Sequence, residues 1–234
     1  MTWRRSACPH GRTNWRHWTT PPSPHSGSNG LARHPRAGKA GRAARSQNAL
    51  RLTGGDWRGR RLDFPLLPGL RPTLSQGRER LFNWLQFDLA GRRVLDAFAG
   101  SGVLGLEALS RRAAEVVFLE QERQAAAAIR EHLQRLDAMA RGQVYCVDAL
   151  GWLQQAGQPF DVVFLDPPFS ADLFQHSLQA LAASRAVAPG TLVYLETPRT
   201  FTPTLRPGWH MHREARSGSL FQRLLRVERT ESGD

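Results

Sequence analysis

The chain has 234 residues, which suits one α/β domain with additions and a core that needs no covalent staple. It carries a formal net charge of +12, and no apolar run approaches the length of a membrane span, which argues against a spanning helix. Cys8 and Cys146 form neither a C-x-x-C metal pattern nor a disulfide framework, so a reducing compartment fits.

The charge is unevenly placed. Residues 1–50 hold nine Lys or Arg and no acid; residues 51–234 hold 23 basic and 20 acidic residues, a net of +3. A basic excess of this kind reflects either codon bias and solubility or a polyanionic partner favoured by counterion release. Residues 1–47 are rich in Pro, Gly, Ser, His and Arg and have no helical or strand period, so they read as a disordered basic extension. Three origins compete: an arm touching RNA, an organelle transit peptide, or a start codon placed too far upstream. The last, or a dispensable arm, is favoured.

Ordered sequence is expected from about residue 48. Leu50 to Thr53, Gly54-Gly55 and Asp56 to Leu62 read as strand, glycine turn and strand. Arg51, Arg58 and Arg60 make that hairpin basic and Trp57 adds a stacking face, a surface suited to RNA. Thr73 and Gln76 make a capping box for a helix to about Gln86, with Arg71 and Arg78 available for phosphates. Gly77 inside that helix costs about 1 kcal/mol relative to Ala.

From Arg92 strands and helices alternate, the pattern of a parallel sheet. Strands are expected at 93–98, 115–120, 143–148, 160–166 and 191–196. Helices are expected at 103–110, 122–138, 149–155 and 172–184. The chain ends differently: 209–214 and 219–227 are strands joined through Ala215 to Gly218, a link so short that they must be antiparallel. A mostly parallel seven-stranded sheet closed by a C-terminal antiparallel hairpin is the methyltransferase variant of the Rossmann-like α/β fold.

Two stretches carry the chemistry. Asp96 to Gly105 forms a strand end, a glycine turn and a helix start. Gly100, Gly102 and Gly105 satisfy G-x-G-x-x-G, and Glu120 follows twenty residues after Gly100, as in a dinucleotide site. Asp96 argues otherwise, because a carboxylate there repels a pyrophosphate and suits the ammonium of a methionine-like tail. Phe98, Ala99, Gly100, Ser101 and Gly102 are the expected backbone cradle. Asp96, Glu120, Asp148 and Asp166 each end a predicted strand, where ligands of such sheets bind. Glu120, with Gln121, suits ribose hydroxyls; Asp148 suits an adenine amine, with Ala149 against the ring. Each acid alone could equally be a helix cap.

The second stretch is Asp166-Pro167-Pro168-Phe169. A carboxylate and a backbone carbonyl that accept the two hydrogens of an aromatic amine free its lone pair for a methyl group. The prolines bring no competing N–H and stiffen the backbone, and Phe169 offers a stacking face for a flipped base.

Val94 to Arg111 closely resembles the bacterial 16S rRNA (guanine-966-N2)-methyltransferase family. Thr53 to Arg60, Arg71-Pro72-Thr73, Arg78-Glu79, Leu81-Phe82-Asn83 and Asp166 to Phe169 support the likeness, which covers about 50–229. The resemblance implies a class I S-adenosylmethionine-dependent methyltransferase fold over 91–230, preceded by an RNA-contacting part over 48–90. It implies methylation of a guanine N2 amine in 16S rRNA of the small ribosomal subunit or its assembly intermediate. It further implies a cytoplasmic monomer with no metal and no membrane partner. The alternatives are an adenine-N6 methyltransferase, an RNA-binding assembly factor without turnover and, last, an NAD dehydrogenase.

Overall fold

In the computed structural model, the described residues are 49–64, 75–168 and 171–229. The extension 1–47, Arg71, Thr73 with its capping box, and Phe169 lie outside them.

The chain opens with a two-stranded antiparallel hairpin, β1 (Ala49–Arg51) and β2 (Arg61–Asp63). Helix α1 (Ser75–Trp84) follows. Then come β3 (Arg93–Asp96), α2 (Val103–Ser110), β4 (Glu115–Leu119), α3 (Arg123–Arg135), β5 (Gly142–Tyr145) and α4 (Ala149–Leu153). The remainder is β6 (Val162–Leu165), α5 (Ala171–Ala183), β7 (Leu192–Pro198), β8 (Trp209–Ser217) and β9 (Leu220–Val227).

Seven strands form one sheet in the order β5-β4-β3-β6-β7-β9-β8; every pairing is parallel except β7 with β9 and β9 with β8, so β9 alone runs against the rest. The central strands are runs of Val, Leu and Phe because helices cover both faces. Chain direction of growth reverses between β3 and β6, whose carboxyl ends therefore open a crevice.

Side-chain alternation divides the core. Val94, Phe118, Phe164 and Tyr194 lie in one buried cluster with residues of α1, α2 and α3. Leu95, Val117, Val163 and Val193 lie in the other, with α4 and α5. Leu52, Leu62, Leu81 and Phe82 join the first cluster, so residues 49–64 and α1 share the sheet's core.

Several boundaries move from the sequence expectation. Residues 52–60 are a long turn, not turn plus strand, because Gly55 and Gly59 take φ of 75° and 82° and the Asp56 amide donates to the Ser110 carbonyl. Strand β8 runs on to Ser217, leaving a two-residue turn, Gly218-Ser219, with Gly218 at φ 59°. Strand β5 stops at Tyr145, three residues before Asp148. Gly77 earns its place in α1 by close packing: a Cβ there would come within 2.6 Å of the Gln222 side-chain nitrogen on β9.

Candidate functional site

The glycine turn between β3 and α2 is built by three separate constraints. Gly100 and Gly102 take φ of 52° and 72°, a region costly for residues with a Cβ. A Cβ on Gly102 would also lie 2.7 Å from Ile129. Gly105 has an ordinary helical backbone, but a Cβ there would run into the Phe118 ring, so the third glycine lets α2 lie close on β4. The N–H of Gly100 donates to Glu120 Oε2 at 2.7 Å, and the N–H of Gly105 donates to Asp96 Oδ2 at 3.0 Å. Asp96 thereby caps α2 in place of Gly102, which makes no side-chain cap.

Parity along the strands aligns the acids. Asp96, Glu120, Asp166 and Glu196 stand two residues beyond Val94, Phe118, Phe164 and Tyr194 of the first cluster, so all four belong to one face of the sheet. Asp96 is 2% exposed, and burial pushes its carboxyl up to about 7, with Glu120 adding to the rise and Gly105 opposing it. Burial also raises Glu120, against the amides of Glu122 and Gly100. Asp166 is raised well above the usual carboxylate range by burial, then by the charges of Glu196 and Asp96. Asp148 is exposed and caps α4 by accepting from the Gly151 amide at 2.8 Å. For this one acid the capping role holds alongside any ligand role.

Among the described residues, none of Asp96, Glu120, Asp148, Asp166 or Glu196 forms an ion pair; the pairs present lie elsewhere. Asp96 and Glu196 are buried and Glu120 and Asp166 half-buried, and carboxylates so placed at one rim without a cation are costly. They are met by a ligand that brings a positive charge and hydroxyl and amine donors, whereas a pyrophosphate would aggravate the repulsion. The donor set therefore fits S-adenosylmethionine. Around it, Phe98 and Ser101 are half-buried, Ala99 and Ala149 buried, and Gln121 exposed. Pro167 is buried and Pro168 exposed just beyond Asp166, as a motif leaving the sheet rim requires.

Sequence reasoning missed Glu196. It was read only as the end of an apolar strand, yet it stands beside Asp166, one step beyond the pairing of Leu165 with Leu195. Its Oε2 accepts from the Tyr194 hydroxyl at 2.7 Å and from Gln222 Nε2 at 3.3 Å, and Gln222 also donates to the Tyr194 oxygen at 2.9 Å. Counting the acids at strand ends by parity finds it, because position 196 follows 194 as 166 follows 164.

The described residues among those expected to touch RNA do not gather at this rim. The turn holding Trp57, Arg58 and Arg60 docks on the far end of α2, where Ser110 Oγ accepts from the Trp57 amide at 2.9 Å and donates to the Gly54 carbonyl at 2.6 Å. Eight helical residues, about 12 Å, separate it from the glycine turn. Arg51, Arg58 and Arg60 are exposed, but Trp57 is half-buried with the Arg141 guanidinium 5.5 Å over its ring. Arg78 corrects the expectation outright. It is 2% exposed, and its Nη2 donates to the Arg51 carbonyl at 2.6 Å, so it braces the hairpin rather than a phosphate. Burial lowers its pKa, opposed by Glu107 and Glu79.

Comparison with known proteins agrees with this fold. A family profile described as "Conserved hypothetical protein 95" matches residues 50–226. The chain is 39% identical over 186 residues to "Ribosomal RNA small subunit methyltransferase D" of Escherichia coli K12, covering 79% of this chain and 93% of that protein. It is 39% identical over 183 residues to the protein of the same name in Haemophilus influenzae, covering 76% and 94%. A solved structure described as "Putative methyltransferase yhhF from Escherichia coli" superposes with a TM-score of 0.73 at 37% identity, over 78% of this chain and 99% of that one.

Proposed function

The chain belongs to the conserved hypothetical protein 95 family, that of the ribosomal RNA small subunit methyltransferases D, and from that premise we propose that it methylates the exocyclic N2 amine of a guanine in 16S rRNA. Its cofactor is S-adenosylmethionine, which supplies a methyl group made electrophilic by its sulfonium sulfur. The observation that carries the acceptor is Asp166, an acid without an ion pair among the described residues, at the crevice between β3 and β6 and followed by two prolines.

Each residue then has a task. Asp96 takes the ammonium of the cofactor's tail while its other bond fixes α2. Glu120 keeps the glycine turn closed on β4 and faces the ribose hydroxyls. Asp148 and Ala149 hold the adenine. Asp166 and the carbonyl of Pro167 accept the two N–H hydrogens of the target amine, so its lone pair is turned toward the methyl group. Bound there, S-adenosylmethionine would supply its sulfonium methyl to the nitrogen, leaving a thioether, and the nitrogen would become cationic. Asp166 stabilises that charge and receives the proton the nitrogen sheds. A carboxylate whose pKa is raised by burial and by Glu196 is suited to hold that proton. Phe169, outside the described residues, supplies the stacking face.

Arg51, Arg58 and Arg60 contact RNA at a distance from the target base, which fits a structured RNA or a particle better than a short single strand. The test is transfer of labelled methyl from S-adenosylmethionine to small subunits lacking the modification, followed by nucleoside analysis and mapping. N2-methylguanosine at one position is the expected product. Label in N6-methyladenosine, or none in RNA, would contradict the proposal.

A further inference from the structure

The pairing of acids at the ends of β6 and β7 bears on which base the site accepts. Asp166 and Glu196 continue the register Phe164 with Tyr194 and Leu165 with Leu195, so they stand next to each other on the same face. Glu196 is held rigidly. Its Oε2 is occupied by Tyr194 and Gln222, and Gln222 is itself held from α1 through Arg80 Nη1, 3.4 Å from its Oε1. Among the described residues nothing donates to Glu196 Oε1. One oxygen is thus anchored, and the other is available to a donor arriving beside Asp166.

Purines differ in the donors they carry on this edge. Guanine offers N1–H next to its N2 amine, three hydrogens in a row. Adenine offers its amine next to N1, a lone pair. Two adjacent carboxylates satisfy the first edge and repel the second. We propose that Glu196 accepts the N1–H of the target guanine while Asp166 accepts from its N2 amine, so that Glu196 sets the choice of base; this rests on the guanine-N2 reading above. Sites built to hydrogen-bond a particular group reject analogues lacking it strongly, because the site's own polar atoms are left unpaired.

Glu196→Gln separates this role from a structural one. The glutamine oxygen can still accept from Tyr194 and Gln222, so the network and the melting temperature are kept, but its amide NH2 now faces N1. The substrates are small subunits reconstituted with either guanine or 2,6-diaminopurine at the mapped position. Diaminopurine retains the 2-amine and has an acceptor at N1. The wild-type protein should methylate guanine faster by more than about tenfold, the discrimination expected of one lost recognition pair. Glu196→Gln should lose most of its rate on guanine, abolish or invert that preference, and bind S-adenosylmethionine as wild type does. An unchanged base preference in Glu196→Gln overturns the role of Glu196 while leaving the guanine-N2 reading intact. A wild-type protein inert on guanine subunits overturns both. If Glu196→Gln melts early, the wild-type comparison supplies the test: equal rates on guanine and 2,6-diaminopurine subunits would overturn the role, since the protein would not be reading N1.

Discussion

The amide of Gly100 donates to Glu120 Oε2 at 2.7 Å, and the amide of Glu122 donates to Oε1 of the same carboxylate, also at 2.7 Å. One side chain thus ties the glycine turn after β3 to the loop after β4. Carboxylate oxygens have lone pairs to spare, so Glu120 can hold the turn and still accept from a ribose. Glu120→Ala should weaken S-adenosylmethionine binding by about 1–3 kcal/mol, the cost of losing charge-assisted hydrogen bonds. Titration calorimetry reads this directly, and an unchanged affinity would remove Glu120 from the cofactor site.

The proposed role of Asp96 predicts that cofactor binding depends on pH. With its carboxyl near 7, much of the ligand-free protein carries a proton there at neutral pH, which an ammonium bound to Asp96 would have to displace. Affinity should therefore rise from pH 6 to pH 8, with proton release on binding below pH 7. Stability of the ligand-free protein moves oppositely. Between about pH 4 and 7 the folded chain holds a proton that the unfolded chain has released, so this group's contribution falls as pH rises. Asp96→Asn should flatten both dependences while greatly weakening binding. Calorimetry in buffers of differing ionisation enthalpy, with melting curves across this range, is the check; a pH-independent affinity in the wild type would count against Asp96 as the ammonium partner.

Much of this site was legible before the structure. The strand ends were read from the alternation of strands and helices, and the structure puts Asp96, Glu120 and Asp166 at the carboxyl ends of β3, β4 and β6; the glycine turn was read from its spacing, and Gly100 and Gly102 take positive φ there. What stayed hidden depends on partners distant in sequence. Glu196 gains meaning only when β9, 26 residues away, brings Gln222 to it. The burial of Arg78 follows from α1 passing under Arg51, and the position of Trp57 from a turn docked on Ser110. Composition makes those residues basic and aromatic, but it carries no information about which of them the core consumes.

Glu107 is the hinge pin of the N-terminal hairpin. Fully buried in α2, it accepts from the Thr53 amide and hydroxyl, both at 2.8 Å, and from Arg111 Nε at 3.0 Å. Glu107→Ala should destabilise the protein by about 2–4 kcal/mol, since it strands a partly buried amide and a partly buried guanidinium. Hydrogen exchange should speed up at Thr53 and Asp56 before it does so in β3. Equal protection of those amides in the variant would show that the hairpin is held by other contacts.

A chain beginning at Gln47 should fold and methylate, because residues 1–46 lack the apolar content to pack. If the extension contacts RNA, its loss should weaken affinity for small subunits and reduce the dependence on salt. An inactive or unfolded shortened chain would place the extension within the domain.

In the proposed mechanism the chemistry rests on Asp166. An interaction that strengthens as charge develops on the amine lowers kcat when removed, rather than raising KM alone. Phe169→Ala should instead weaken placement of the base, by about 1–3 kcal/mol for lost stacking, and Asp166→Asn should be milder than Asp166→Ala because an amide oxygen still accepts one hydrogen. The decisive measurement is single-turnover methylation of unmodified small subunits by Asp166→Ala at saturating S-adenosylmethionine. The account predicts near wild-type cofactor affinity and a rate reduced by about a hundredfold or more, as for loss of a preorganised electrostatic group; a rate near that of the wild type would contradict it.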